Sequence, residues 1–453
     1  RDRAVPTPDG VDINYQVAED EESAYLGLVD TRKPDTDQTT GVNNALLIPG
    51  GPEIENRYGS TRFDAAEDLI EDQYSGNFDV EIKDANNFTK PTLGLGEGFV
   101  IALKSDGSVW AWGDNTYGQL GIGFTPEEVP YTTYPTPVKG LDGLVKRLNL
   151  IEEISVGYRH VLARTADGSV YAWGDNSKGQ LGINADATDV ATSNVPRQVV
   201  AGDSVMFNEG ATYLAGATAL AAGGYHSMAL LGHSDGYVYS WGDNSHAQLG
   251  TDMSPNPYEG INMGRTYPSQ VIYSGEGATP DEKYISGATL IAAGGYHSFA
   301  GGVFQVDSET ASTESRLLSW GDNEYGQLGR IRGTVDIIVG KNGTDDIIEQ
   351  RHYGFTPDFV EVGGERVRMG GVVKVVAGER HSVAMAGDAG AGTLRIRVMG
   401  DNTYGQCGVV TGDKTMVDYA ITLFESESDT REIANGLDIA AGRFHTVILR
   451  GER

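Results

Sequence analysis

The stretch SVWAWGDNTYGQLGIG at residues 108–123 decides the fold, because the chain repeats it in nearly the same letters. Close copies follow at 169–184 (SVYAWGDNSKGQLGIN), 237–252 (YVYSWGDNSHAQLGTD) and 316–331 (RLLSWGDNEYGQLGRI), with a diverged copy at 395–410 (RIRVMGDNTYGQCGVV). Internal repetition of this kind indicates one structural unit that is used several times. The repeated letters therefore describe construction, and we expect recognition chemistry where the copies differ.

Each copy follows a shorter motif, Gly-x-x-His and an apolar run, so every unit has two halves. The first halves lie at 156–164, 222–230, 293–301, 377–385 and 441–449, and a variant at 95–103 has Phe99 in the histidine position. In the two most regular units the halves are joined by KSDGSV at 104–109 and TADGSV at 165–170. Asp-Gly between alternating apolar runs is a strong signal for a β-hairpin. A further apolar run precedes each Gly-x-x-His motif, which adds another strand to the unit.

The spacing of the units predicts an all-β fold, a single β-propeller. The glycines of the WGDN motif stand at 113, 174, 242, 321 and 400, which leaves room for one small sheet and its loops in each unit. A lone sheet of this size cannot bury both faces, whereas sheets arranged around a common axis can. The Gly-x-x-His/Phe starts predict six blades, and seven blades are the alternative.

The last unit lacks its second half, because the sequence ends in ILRGER after the apolar run. A strand from the other terminus would complete this blade and remove an exposed edge. The best match lies within 41–60, where Leu46-Leu47-Ile48 would replace the strand and Asn56-x-Tyr58-Gly59 the loop motif. We therefore predict a polar N-terminal arm or linker at 1–40 and a propeller at 41–453, with 41–60 as the closing strand of the last blade.

The motif residues have structural roles in this architecture. We expect the four motif tryptophans to fill the space between neighbouring blades, since they supply large apolar area. The Asp and Asn of GDN can bond their own backbone and fix the following turn, and the glycines permit tight bends. The recurring histidines, His160, His226, His297, His381 and His445, are interpreted as buried and bonded to backbone. The single cysteine, Cys407, stands where other copies have leucine, so a buried apolar role is expected.

The charge, the apolar runs and the motifs of the sequence argue against several classes of function. The formal net charge is −30, which disfavours nucleic acid as a partner, because that affinity depends on Lys and Arg. No apolar run is long enough to span a membrane. The sequence contains no phosphate loop, no metal-ligand spacing and no nucleophile–base pair. We therefore predict no catalytic residues, no cofactor and no metal, and expect a protein that is not an enzyme.

The combination G-x-x-H-S-x-A-L and D-G-x-V-Y-x-W-G-D-N-x-x-G-Q-L-G resembles the repeat of the regulator of chromosome condensation family. The resemblance covers roughly residues 90–453. It implies a β-propeller, commonly of seven blades. Members of the family include a nuclear exchange factor for a small GTPase and secreted bacterial inhibitors of β-lactamase. The resemblance thus implies function through protein partners.

The two residues between Gly and His are the candidate partner-binding positions. They enter an inner strand once per blade, so they would form a ring at one mouth of the propeller. The residue types there include Tyr, Phe and Arg, which are enriched at interface hot spots. The predicted partner-binding residues are Tyr158, Arg159, Tyr225, Tyr296, Arg380, Arg443 and Phe444. The alternative is that these side chains only cover the turns.

Three functions compete. The first is a non-enzymatic protein-interaction or structural module of a secreted, cell-surface or virion assembly, whose partners include neighbouring subunits. The second is an inhibitor or regulator that grips a partner enzyme with one propeller mouth. The third is a guanine-nucleotide exchange factor for a small GTPase. All three predict protein partners, no nucleic acid and no insertion into a membrane.

Overall fold

The computed structural model describes most of the chain from residue 90 onward and three short N-terminal strands. The described ranges are 3–6, 12–17, 52–54, 90–140, 151–183, 190–202, 212–232, 235–251, 264–273, 284–307, 312–332, 335–342, 345–362, 367–387, 394–409, 415–426, 429–432 and 436–450. These residues form strands, turns and bends and no helix, so none of them contributes a helix that could cross a membrane. The all-β prediction is confirmed.

Five sheets share one pattern of four antiparallel strands, and we name them blades 1 to 5 in chain order. Three N-terminal strands form a separate sheet: β1 (Arg3–Pro6), β2 (Asp12–Val17) and β3 (Pro52–Ile54). Blade 1 contains β4 (Thr92–Leu95), β5 (Phe99–Leu103), β6 (Val109–Asp114) and β7 (Tyr131–Pro137). Blade 2 contains β8 (Ile151–Val156), β9 (His160–Thr165), β10 (Val170–Asp175) and β11 (Thr192–Gln198). Blade 3 contains β12 (Ala217–Ala222), β13 (His226–Leu231), β14 (Tyr237–Gly242) and β15 (Arg265–Gln270).

The later blades carry additional strands. Blade 4 contains β16 (Ala288–Ala293), β17 (His297–Asp307), β18 (Ser312–Asp322) and β21 (Tyr353–Phe359), with the hairpin β19 (Val335–Asn342) and β20 (Asp345–Arg351) inserted before β21. Blade 5 contains β24 (Val372–Ala377), β25 (His381–Gly387), β26 (Leu394–Asp401) and β27 (Met416–Thr422), extended by β22 (Glu361–Val362) and β23 (Val367–Arg368). A hairpin, β28 (Phe424–Ser426) and β29 (Asp429–Glu432), precedes a two-stranded sheet, blade 6, of β30 (Gly436–Ala441) and β31 (Thr446–Arg450).

The blades follow one another radially. The first strand of each blade contacts the first strand of the next, in the order β4, β8, β12, β16, β24 and β30. Five hydrophobic clusters fill the spaces between successive blades, so the core is divided into wedges and is not one central mass. The radial arrangement confirms the propeller. The number of blades in the closed ring stays a prediction.

Three of the four motif tryptophans connect successive blades, as predicted. Trp173, Trp241 and Trp320 are fully buried, and each indole Nε1 donates to the carbonyl of a glutamine in the preceding blade. The glycine two residues after that glutamine adopts positive φ and lies against the indole ring. A Cβ at Gly121 would lie 2.7 Å from Nε1 of Trp173, so this glycine is required by the packing and not by crowding at the axis.

The histidines use a partner that the sequence analysis missed. His160, His226, His297 and His381 are buried, and each Nε2 lies 2.8 to 3.1 Å from a hydroxyl of the next blade. The expected backbone partner is therefore wrong for Nε2, because the adjacent blade presents a Ser or Thr directly after its own histidine. That hydroxyl in turn donates to the same glutamine carbonyl, as Ser298 does to Gln248 at 2.8 Å. The expected burial is wrong for His445, which is exposed.

The first junction replaces this pair with apolar side chains. Phe99 occupies the histidine position of blade 1, and Val161 occupies the hydroxyl position of blade 2. Both are buried in the same cluster. The chain thus exchanges both members of the pair together, because an unpaired buried polar group is costly.

Cys407 is buried in the leucine position, and burial raises the pKa of its thiol to about 12, in line with an apolar role. The proposed closing strand at Leu46-Leu47-Ile48 lies outside the described residues and stays a prediction. The described part of 41–60, β3, pairs with β2. The sequence analysis did not predict β1 and β2, because 1–40 lacks the repeat; the division at residue 40 also stays a prediction.

At the junction of blades 1 and 2, Phe99 and Val161 replace the histidine and the hydroxyl. The same replacement can be tested at the junction of blades 3 and 4. Ser298→Val alone leaves Nε2 of His226 buried without its hydroxyl and should cost about 1–3 kcal/mol of unfolding free energy. His226→Phe/Ser298→Val copies the Phe99/Val161 pair and should cost at least about 1 kcal/mol less than the sum of the single changes. Urea unfolding of the four proteins measures this coupling. Additive single effects would contradict the assigned pair.

Burial of the histidines also predicts a pH dependence. It lowers the pKa of His160, His226 and His297 to about 3 and that of His381 to about 4. In the unfolded chain these histidines have pKa values of about 6.5, so they bind protons that the native protein excludes. Stability is therefore fully present above about pH 6.5 and falls as the pH drops towards the folded pKa values.

Each histidine should lower the unfolding free energy by up to about 1.4 kcal/mol per pH unit below that point. Calorimetric melting of the wild type and of His226→Phe/Ser298→Val between pH 8 and 5 tests this. The double variant should take up about one proton fewer on unfolding at pH 5. Identical proton uptake would refute a neutral, buried His226.

Candidate protein-binding mouth

Six turns join the first and second strands of the blades and lie at one end of the propeller, which we call the mouth. The two residues at the centre of each turn are Glu97-Gly98, Tyr158-Arg159, Gly224-Tyr225, Gly295-Tyr296, Glu379-Arg380 and Arg443-Phe444. In blades 1 to 5 each turn immediately precedes the strand that carries the buried histidine or Phe99, whereas in blade 6 it precedes His445, which is exposed. The predicted geometry of a ring of turns is therefore present. Binding of a partner there stays a prediction.

Backbone hydrogen bonds connect the turns to one another. Glu97 N donates to Tyr158 O at 2.8 Å, and Tyr158 N donates to Gly224 O at 3.3 Å. The series continues from Gly224 N to the turn of blade 4, from Gly295 N to Gly378 O at 3.1 Å and from Glu379 N to Arg443 O at 3.3 Å. Between blade 6 and blade 1 a side chain makes the link, since Arg443 Nη1 donates to Glu97 Oε1 at 3.3 Å. The mouth is thus a connected ring.

Tyr158 lies across the turns of blades 3 and 4. A Cβ at Gly224 would lie 2.8 Å from the Tyr158 ring, and a Cβ at Gly295 would lie 2.8 Å from its Oη. Two of the turns have glycine where the others have a side chain, and Tyr158 uses the space that this leaves. Burial, with a further contribution from Glu379, raises the pKa of Tyr158, so the phenol stays protonated.

Aromatic contacts extend from Tyr158 over the next two turns. Its ring meets Tyr225 edge-on at 5.6 Å, and Tyr225 lies 6.4 Å from Tyr296. Tyr296 in turn lies 4.4 Å from the ring of His246, which comes from the loop of the preceding blade. On the other side, the exposed Tyr404 and Phe444 pack edge-on at 5.9 Å. The mouth therefore presents a partly exposed aromatic surface.

Glu97 and Glu379 neutralise most of the positive charge of the three turn arginines. The sequence analysis did not predict these ion pairs. Arg159 Nε donates to Glu97 at 3.0 Å, and Arg443 donates to Glu379 as well as to Glu97. Arg380 Nε lies 3.9 Å from Glu379, whose side chain is 8% exposed. Three arginines and two glutamates leave the ring with one net positive charge. The arginines thus hold the turns together besides facing solvent.

A second set of mouth residues comes from the repeated loop and was missed by the sequence analysis. In each GDN loop, Asn Oδ1 accepts the amide five residues on, and Gln Oε1 accepts the amide two residues before it. These bonds fix the loop and direct one variable residue beside the turn of the next blade. The variable residues are Tyr117, Lys178, His246, Tyr325 and Tyr404. Variability inside an otherwise constant motif was the available signal.

A polar cluster at Asp243, Ser245 and His246 resembles a catalytic arrangement but has a structural explanation. Ser245 Oγ donates to Asp243 at 2.6 Å and lies 2.9 Å from His246 Nδ1. The same Ser/Thr–Asp bond recurs at Thr116–Asp114 and Thr403–Asp401, where no histidine follows. A Ser or Thr hydroxyl thus fixes the loop in four of the five copies, and in the remaining copy the amide of Glu324 donates to Asp322 Oδ1 at 3.0 Å. Within the described residues, no group of three His, Cys, Asp or Glu is placed to hold a metal ion.

Comparison with known proteins places this geometry in a family. The model of the regulator of chromosome condensation (RCC1) repeat matches residues 106–164, 167–230, 235–300 and 314–385, more than half of the chain. The chain belongs to the RCC1 repeat family. A second model of this repeat matches 151–180 and 217–248.

The similar curated proteins are of several kinds. The chain is 29% identical over 317 residues to the probable E3 ubiquitin-protein ligase HERC6 of Homo sapiens, covering 69% of this chain and 23% of that protein. It is 26% identical over 315 residues to the ultraviolet-B receptor UVR8 of Arabidopsis thaliana, covering 69% and 54%. It is 31% identical over 235 residues to protein RCC1 of Candida albicans, covering 51% and 45%. The chain thus spans at most about half of each of these relatives.

Solved structures support the RCC1-type fold. Prp20p from Saccharomyces cerevisiae superposes with a TM-score of 0.55 at 19% identity, covering 79% of this chain and 67% of that one. Human WBSCR16 superposes with a TM-score of 0.54 at 18% identity, covering 92% and 80%. At these identities the likeness establishes the fold alone.

The link between blades 6 and 1 can be tested by Arg443→Gln. The substitution removes the bond to Glu97 and leaves the buried Glu379 without its nearest cation, so we expect a loss of about 1–2 kcal/mol of unfolding free energy. The control is Lys178→Gln, whose Nζ lies 4.0 Å from Asp243 with the side chain 52% exposed; it should change stability by less than about 0.5 kcal/mol. Urea unfolding measures both. Equal effects would contradict a structural role for Arg443.

Proposed function

We propose that the protein is a non-enzymatic interaction module that binds a protein partner through the mouth. The observation that supports this best is the connected ring of turns, which holds partly exposed Tyr, Arg and Phe side chains in one place. Such side chains supply most of the binding energy at protein interfaces. A surface that is already ordered loses little conformational entropy when a partner binds.

Two solved structures of similar proteins support a role in protein binding. The structure of Prp20p was described together with its binding to Gsp1p and histones, and another structure shows Kap60 bound to yeast RCC1. Those partners belong to those proteins, and for this chain they favour a protein partner. Ligase activity of the HERC type lies beyond the proposal, since the chain covers less than a quarter of HERC6.

The identity of the partner separates the three candidate functions. A neighbouring subunit would indicate an assembly module, and a secreted, cell-surface or virion location stays part of that proposal. An enzyme that loses activity on binding would indicate an inhibitor. A small GTPase that releases its nucleotide faster would indicate an exchange factor.

The mouth can be tested with Tyr225→Ala/Tyr296→Ala. The full chain, immobilised, is used to capture partners from an extract of its source, and the double variant should lose them. Loss of two hot-spot side chains should weaken binding by at least about 100-fold. Tyr213→Ala is the matched control, since Tyr213 is an exposed tyrosine, 47% accessible, between blades 2 and 3 at the opposite end.

The control should retain every partner of the wild type. Partners that bind the wild type and the double variant equally would contradict the proposed binding site. Thermal unfolding of each variant verifies that lost binding is not lost folding.

A further inference from the structure

Two arginine–tyrosine pairs at the mouth have the same geometry. The guanidinium carbon of Arg159 lies 4.6 Å from the Tyr117 ring centre, and Nη1 donates to the Tyr117 hydroxyl at 2.8 Å. The corresponding distances from Arg380 to Tyr325 are 4.7 Å and 2.9 Å. Each pair joins the turn of one blade to the loop of the blade before it, at the junctions of blades 1 and 2 and of blades 4 and 5.

Each pair retains hydrogen-bond donors for a ligand. The phenolic oxygen accepts a bond from Nη1, so its own O–H proton is available to donate. Nη2 of Arg159 and of Arg380 makes no hydrogen bond to any other described residue. An O–H and an N–H on adjacent groups match the two oxygens of a carboxylate, and the three turn arginines exceed the two turn glutamates by one charge.

The tyrosines of these pairs are held in place before any ligand arrives. The amide of Tyr117 donates to Gln119 Oε1 at 2.7 Å, and the amide of Tyr325 donates to Gln327 Oε1 at 2.9 Å. On the other side of the ring contact, Arg159 Nε donates to Glu97 at 3.0 Å, and Arg380 Nε lies 3.9 Å from Glu379. Because both donors are ordered in the free protein, little conformational entropy is lost when a carboxylate binds them.

The junctions between the two pairs are aromatic. Tyr225 contacts Tyr158 at the junction of blades 2 and 3, and Tyr296 packs against His246 at an angle of 36° at the junction of blades 3 and 4. The mouth therefore carries two carboxylate-type donor sets with an aromatic surface between them along the ring.

We propose that the mouth selects a partner segment that carries two carboxylates, one for each Arg–Tyr pair, separated by apolar residues that cover Tyr225 and Tyr296. This inference rests on the proposed function and names the chemistry of the partner. A peptide fits better than a nucleic acid, which has one charge per nucleotide and would meet a chain of formal charge −30. Two isolated carboxylates incur less of this repulsion, which falls off over about 8 Å at physiological salt.

The experiment uses a displayed library of random 12-residue peptides, selected on the immobilised full chain. Peptides enriched by the wild type should contain Asp or Glu at two separated positions. A synthetic copy of the strongest binder should bind Tyr117→Phe/Tyr325→Phe roughly 100-fold more weakly, about tenfold for each lost bond to a charged group. These substitutions keep the rings under the guanidinium groups. Tyr213→Phe is the matched control and should bind like the wild type.

Other results would overturn the inference in distinguishable ways. Binders without acidic residues that are insensitive to Tyr117→Phe/Tyr325→Phe but lost in Tyr225→Ala/Tyr296→Ala would refute the carboxylate chemistry and leave the proposed function standing. A fluorescent (dT)12 probe that binds the wild type and is released by Arg380→Gln would assign the mouth to nucleic acid instead. No binder, or binders that ignore every mouth variant, would refute the proposed function itself.

Discussion

The backbone carbonyl of the glutamine in the loop that follows each GDN motif is the group on which the rest of the structure depends. Gln248 O accepts the indole N–H of Trp320 at 2.9 Å and the hydroxyl of Ser298 at 2.8 Å, and Gln180 O accepts the equivalent pair from blade 3. Both donors come from the following blade, so one buried acceptor fixes the position of the next sheet. Where Met399 replaces the tryptophan, the hydroxyl bond remains, from Ser382 to Gln327 at 3.0 Å.

The same junction positions the mouth. The loop that contains the glutamine also holds the variable residue that faces the next turn, and the next turn leads directly into the buried histidine. A rigid junction therefore orients two surface residues at once, such as Tyr325 and Arg380. We expect substitution of these two positions to alter the surface and to leave the hydrophobic wedge below intact. This separation explains how identical loops can present Tyr, Lys or His to a partner.

The turn sequences and the pattern of apolar residues made most of the fold predictable from the sequence. Asp-Gly turns form as expected, with Gly107 and Gly168 at positive φ, and the radial arrangement follows from units that cannot bury both faces alone. Contacts between units were harder to predict from the sequence, because the residues that form them lie far apart in the chain. The histidine–hydroxyl pair could have been found from the joint replacement by Phe99 and Val161. Neutralisation of Arg443 by Glu97 could not, since it joins opposite ends of the repeat region, 346 residues apart.

Hydrogen–deuterium exchange of the free protein tests the central claim, that the mouth is an ordered surface before a partner binds. The amides that connect the turns, those of Glu97, Tyr158, Gly224, Gly295 and Glu379, should exchange as slowly as amides of the buried second strands. Exchange of these amides within seconds, at the rate of exposed loops, would contradict a preformed ring and with it the account of how the protein recognises its partner.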